Sequence, residues 1–421
     1  MRKLQTRYPA RRRSRGMTLI EILVGVLIGL LGILVIFQVL AVSEDRKRTT
    51  VHGSDAQSAG AIALYQLQRE MQLGGYGFAG AHTKQIGCLV RAWDLGPPAS
   101  KAIDFRLYPV EIVQGAAGAP DTLRVVWGSS DQFVTSRAWT TSGAMKAMSG
   151  GRGGLDYGDL LVVTGDPAAT PGAQTECALV QVTDRPTAQP TDIGHNVAYS
   201  APLVPPGTTL STDATPSPRF NKDAAWPGSA PFTPAAGFAL NLGKQPRRVE
   251  WRVTLPSEAN PNRLIASETL FGLPTVEVAD AIVNLQAEYG IDRNNNQSID
   301  ANEWTVTPPD NTLIPSDLVN SCSDNPSRSW RCVRAIRVAL LARSAHWDKA
   351  ACSPNPQRTS GETGALAPTN FVMTNVDGTA PSAAELACTD DPPSANSWRR
   401  YRYSVYETVI PLRNMIWGTA P

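Results

Sequence analysis

Gly16-Met17-Thr18-Leu19-Ile20-Glu21, followed by almost nothing but apolar residues as far as Val42, is the stretch that decides the fold. Ile22–Val42 is 21 residues with one polar member, Gln38. At 1.5 Å per residue that is about 31 Å of helix, enough to cross a hydrocarbon core of about 30 Å. A charged group in hydrocarbon is costly, so Glu21 marks a functional position by default. Ahead of it, Met1–Gly16 carries seven basic residues (Arg2, Lys3, Arg7, Arg11, Arg12, Arg13, Arg15) and no acid. Such a flank stays in the cytoplasm, which places everything after Val42 on the exported side. A secretory signal peptide has its small-residue cleavage site after the apolar region. Here the glycine comes before it, and the chain runs on as Ser43-Glu44-Asp45-Arg46-Lys47-Arg48.

This arrangement resembles the processing and assembly site of type IV prepilins. The resemblance implies cleavage after Gly16, N-methylation of Met17 by the prepilin peptidase, and Glu21 as the fifth residue of the mature chain. It also implies that the Glu21 carboxylate pairs with the N-terminal amine of a neighbouring subunit. Met17 departs from the phenylalanine that most members have there. The plainer alternative is a simple N-terminal anchor with an incidental glutamate. Gly25-x-x-x-Gly29 is a spacing that lets helices approach closely, although glycine is also common in membrane helices generally.

The helix is expected to continue beyond the membrane. Ser43–Gln72 has no proline, and Ile62, Leu64, Leu67 and Met71 recur at helical steps. Leu73-Gly74-Gly75-Tyr76-Gly77 then breaks it. The run Leu67-Gln68-Arg69-Glu70-Met71 through Gly75-Tyr76 is similar to a passage at the end of the long helix in the PilW minor pilins. So are Val333–Arg343 and Tyr403–Asn414, the latter closing Leu412-Arg413-Asn414. The expected organisation is a leader at 1–16, a long helix at 17–73 (transmembrane at about 20–42), and an exported head at 74–421. In the head, β-branched runs between turn residues predict strands at Thr122–Trp127, Asp159–Thr164, Ala178–Thr183, Arg248–Leu255, Leu264–Leu270, Val333–Arg343 and Tyr401–Ile410. Val278, Ile282 and Leu285 share a helical face, which predicts a short helix over Val276–Leu285. Ala198–Pro234 and Cys352–Ser397 read as loops. The fold class is α+β: a long helix packed on a mainly antiparallel head with disulfide-tied loops.

Net charge is +2, and the leader alone supplies +7, so the processed chain is acidic and carries no nucleic-acid footprint. All six cysteines follow the membrane segment, as suits disulfides in an oxidising compartment. Sequence proximity favours Cys322–Cys332 and Cys352–Cys388, leaving Cys88–Cys177. The four histidines are scattered. Nucleophile-elbow and phosphate-loop motifs are absent, and no enzymatic activity is expected.

Asp292–Glu303 fits the twelve-residue calcium loop of an EF-hand, with oxygen ligands at Asp292, Asn294, Asn296, Ser298 (backbone carbonyl), Asp300 and Glu303. Gln297 stands where that loop requires glycine, and the flanks do not read as two helices. An Asn-rich turn whose polar groups cap one another is the competing reading.

The PilW resemblance implies a minor pilin at or near the pilus tip that helps to initiate assembly and presents an adhesive head. Its implied partners are other minor pilins and the major pilin through the N-terminal helix, the prepilin peptidase, and the inner membrane before assembly. A minor pseudopilin of a type II secretion system is the alternative.

Overall fold

The computed structural model describes residues 16–81, 85–96, 101–130, 137–139, 145–165, 176–184, 191–195, 218–221, 237–255, 257–309, 330–347, 352, 371, 373, 387–389 and 398–417. The leader before Gly16, most of the two loops expected at 198–234 and 352–397, and Cys322 lie outside them. Two compact units divide the chain at Ser54 and Asp55.

Helix α1 is continuous over Leu19–Met71. Its Leu19–Glu44 part is long and apolar enough to span a membrane, and none of its side chains is buried within the protein. Within the second unit, one stripe of α1 turns inward: Ala56, Gly60, Ala63, Leu67 and Met71 are buried. The steps of three and four residues are those of a single helix face. The expected stripe shifts here, because Ile62 is 54 % exposed and Ala63 takes the inward place. Small residues at 56, 60 and 63 bring the helix close to the sheet. Leu67 and Met71 then supply the large contacts, each worth about 1.5–3 kcal/mol on full burial.

The strands, in chain order, begin with β1 (Leu89–Asp94), β2 (Lys101–Arg106), β3 (Val110–Val113), β4 (Thr122–Trp127), β5 (Arg137–Trp139) and β6 (Met145–Ala147). Then come β7 (Leu160–Gly165), β8 (Glu176–Gln181), β9 (Asp192–Gly194), β10 (Gly237–Gly243), β11 (Arg247–Val253) and β12 (Arg263–Glu268). The last are β13 (Val276–Asp280), β14 (Ile282–Ile291), β15 (Trp304–Thr305), β16 (Val333–Arg343) and β17 (Tyr403–Pro411), closed by the short helix α2 (Arg413–Trp417). Three larger sheets result, ordered β2-β1-β8-β7-β10-β5, β13-β12-β11-β4-β3 and β15-β14-β16-β17, with a small β6-β9 pair. Among the described strands, β1 with β8 is the one parallel pair.

Val276–Leu285 is not a helix. It is β13 and the start of β14, separated by Ala281 at φ +59°. The helical spacing misled because β14 is buried on both faces. Leu285, Ala287, Tyr289 and Ile291 join the main core, Val283 joins a second cluster with Phe371 and Met373, and Asn284 and Gln286 are buried polar groups. A strand covered on both sides loses the alternation that would identify it. β16 is sorted the same way: Ile336, Val338 and Leu340 enter the main core, Ala339 and Leu341 the second cluster.

One edge of β14 is completed without a full strand. β15 pairs only with Tyr289 and Gly290. Over the remaining length, the loop 114–121 takes a neighbouring strand's place. Asp121 N–H donates to Leu285 O (2.7 Å), and Ala287 N–H donates to Asp121 Oδ2 (2.8 Å). Gln114 donates to Ala287 O, and Asn284 and Gln286 donate to the Gly118 and Ala119 carbonyls. Buried backbone groups need such partners.

Cys88 is bonded to Cys177, and Cys352 to Cys388. Cys332 is also disulfide-bonded, and the pairing expected for it involves Cys322, outside the described residues. Closing loops of 89 and 36 residues is worth about 2–4 kcal/mol each through the unfolded chain.

Candidate functional site

Two places in the chain carry the residues singled out from sequence. The first is the start of α1. Gly16, Met17 and Thr18 precede the helix and are exposed. Thr18 and Glu21 form a reciprocal cap: the Glu21 carboxylate accepts from Thr18 N–H (2.9 Å) and Thr18 Oγ1 (3.1 Å), while Glu21 N–H donates to Thr18 Oγ1 (3.3 Å). These bonds satisfy two donors that the first turn leaves open. The cap also fixes the Glu21 carboxylate at the helix tip, beside the residue that cleavage would make the N-terminus.

Gly16 has no heavy atom near the place a Cβ would occupy, and its φ is not positive. The protein's own packing therefore sets no requirement for glycine there. The same open space surrounds Gly25, Gly29 and Gly32.

The second place is the turn between β14 and β15, so its flanks are strands. Asp292 is fully buried and Glu303 is 2 % exposed. Asp292 accepts from the Asn296 and Gln297 amides, both at 3.0 Å. Glu303 accepts from the amides of Arg293 (2.7 Å), Asn294 (3.3 Å) and Asp300 (2.9 Å). The Asn294 and Asn296 side-chain amides lie 2.9 and 3.3 Å from Asp300 Oδ2. Ser298 N–H donates to Asn296 Oδ1. Asn295 and Gln297 both adopt positive φ, +54° and +67°. Gln297 thus takes the left-handed conformation that glycine would have supplied more cheaply. The Arg334 guanidinium stands 3.6 Å from Asp292 Oδ2. The turn brings Asp292, Asn294, Asn296, Asp300 and Glu303 together. Among the described residues, no three His, Cys, Asp or Glu side chains are grouped tightly enough to hold a metal by themselves.

Sequence reasoning gave Asn414 no role. Its Nδ2 lies 3.2 Å from each of the Gln72, Leu73 and Gly74 carbonyl oxygens, at the end of α1. The signal was present: a helix that stops at Gly74-Gly75 leaves its last carbonyls without partners, and some donor must serve them.

Residues 269–414 match the family model described as type IV pilus-assembly protein W. Residues 11–37 match the prokaryotic N-terminal methylation motif. No curated protein and no solved structure matches the chain. The first match spans β13 to the start of α2, including the 292–303 turn and Asn414; the second spans Gly16, Glu21 and most of the apolar run. Pilins are structural rather than catalytic proteins, and an apolar helix behind a methylation motif fits a membrane-anchored one. With that motif at one end and the PilW match over the last part of the head, the chain is similar to the prepilin-type proteins of the PilW family in those two stretches.

Proposed function

We propose that this chain is a minor pilin of a type IV pilus, cleaved between Gly16 and Met17, held in the inner membrane with its head in the periplasm, and built into the pilus at or near its tip, where it helps to start assembly. The observation that carries the reading is the start of α1, where a carboxylate held at the helix tip sits at the head of a wholly exposed apolar surface. In hydrocarbon that carboxylate needs a cationic partner, and the new N-terminal amine of a neighbouring pilin supplies one. The implied partners are the major pilin and the other minor pilins. A large head is harder to repeat along a shaft than to seat once at its end, and there it is displayed outward as an adhesive surface. The family model matched by residues 269–414 is described as a type IV pilus-assembly protein, which favours the pilus over a pseudopilus.

Glu21→Ala tests the assembly role. The variant should insert in the inner membrane at the normal level, while its amount in sheared pili falls at least tenfold. Glu21→Asp should be intermediate. Normal incorporation of the alanine variant would remove Glu21 from assembly.

The 292–303 turn supports a second proposal, a structural calcium site. The residues fit the ion: five side-chain oxygen carriers stand on one turn, a half-turn of Asn294 or Asn296 presents oxygen in place of nitrogen, and Gln297 already has the backbone conformation of the loop. Calcium would replace the backbone amides as the main partner of Glu303. Bound calcium stabilises by RT ln(1 + [L]/Kd), about 2.7 kcal/mol at 100-fold excess over Kd. The melting temperature of the full-length protein in detergent micelles should therefore rise with calcium over chelator. Glu303→Gln should abolish most of that rise, and Asn295→Ala should keep it. An unchanged melting temperature for the parent would leave the turn as a self-capped Asn-rich turn.

A further inference from the structure

The last stretch of chain touches the head part of α1 at two places. At the first, the Tyr406 hydroxyl donates to Gln57 O (3.0 Å), and the Tyr406 ring lies over Gly60, where any Cβ would overlap it. At the second, Asn414 donates to the carbonyls at the helix end, and the Met415 sulfur lies where a Cβ on Gly75 would be, 2.9 Å away. Gly75 has φ +80°, and its own N–H donates to Val126 O, so the turn that ends the helix is fixed from two sides.

The spacing of the two contacts is matched. About 22 Å of helix axis separates Gln57 from Gln72 at 1.5 Å per residue. The extended run from Tyr406 to Leu412 reaches about 20 Å before α2 begins. β17 therefore lies along α1 in the same direction, and Leu412 N–H donating to Arg334 O ties its far end to β16.

We propose that β17 and α2 form a two-point clamp that fixes the head's grip on the long helix, with Asn414 as the positioning residue that holds the helix end. Three carbonyls at the close of the helix share one side-chain amide; Leu73 O also accepts from Tyr76 N–H (2.9 Å), so a side chain of equal size without N–H groups takes a donor chiefly from Gln72 O and Gly74 O. The clamp stands whether or not Glu21 has a role in assembly.

Hydrogen exchange on the full-length protein in micelles tests it. In Asn414→Leu, peptides covering residues 72–78 should exchange at least tenfold faster, while β14 and β16 keep their protection. Arg413→Ala, at an exposed neighbour, should match the parent throughout. Tyr406→Phe keeps the ring over Gly60 and loses only the hydroxyl. It should speed exchange two- to fivefold at residues 57–62, and it carries the test if Asn414→Leu does not fold. Unchanged exchange at both contacts, or equal loosening of the whole head, would overturn the clamp.

Discussion

Gly16→Glu should leave the leader attached to every molecule. The expected change is all-or-none, because the variant touches the reading of the site and not the fold. No atom of the protein crowds Gly16, and its backbone conformation is open to any residue. Chain stability therefore does not select glycine there, and under the proposed cleavage the selection falls to the peptidase that reads the peptide bond between Gly16 and Met17. A peptidase that closes around an extended backbone at the membrane surface has reason to exclude a side chain. Intact-mass measurement of the membrane protein should find the parent beginning at N-methylated Met17 and the variant retaining residues 1–16. Gly16→Ala adds one methyl group and should be cut slowly. A fully processed glutamate variant, or a parent chain that begins after residue 40, would remove the prepilin reading of the leader.

How much of this was legible in the sequence follows from what each segment is buried against. The apolar run before Val42 was readable because the membrane, not the protein, is its environment, and a membrane imposes a simple length rule. β4 and β16 lie where β-branched runs between turn residues placed them. The sequence reading failed at two places whose partners came from far along the chain. Val276–Leu285 looked helical because β14 is covered by β11 and by Phe371, and completed at its edge by the loop 114–121, none of which is local. Ile62 looked like core because it is large, yet the helix approaches the sheet through Ala63 and Gly60, and the ring over Gly60 belongs to Tyr406. The 292–303 turn was recognisable by its spacing alone. Its left-handed Gln297 confirms that the turn needs the conformation that glycine normally supplies.

Asp121 makes the head more stable as the pH falls from neutral toward 4, against the usual direction for a carboxylate. It is 1 % exposed and accepts one N–H from Gly115 and one from Ala287, each at 2.8 Å. Both bonds favour the ionised form. Burial opposes them and wins, helped by the neighbouring negative charge of Glu288, and the carboxyl is pushed up to about 6. The folded protein thus holds the Asp121 proton more tightly than the unfolded chain, whose value is near 3.8. The stabilisation is fully present below about pH 4 and is lost as the pH rises through about 6, a change of about 3 kcal/mol. Asp121→Asn has no proton to lose. Denaturant titrations of parent and variant between pH 4 and pH 7.5 should show the parent's advantage shrinking by about that amount as the pH rises. Other carboxyls titrate in both proteins and cancel in the difference. A difference that stays constant across the range would mean that Asp121 is ionised throughout, with its two N–H bonds outweighing its burial. The loop 114–121 would then hold the edge of β14 equally well at every pH.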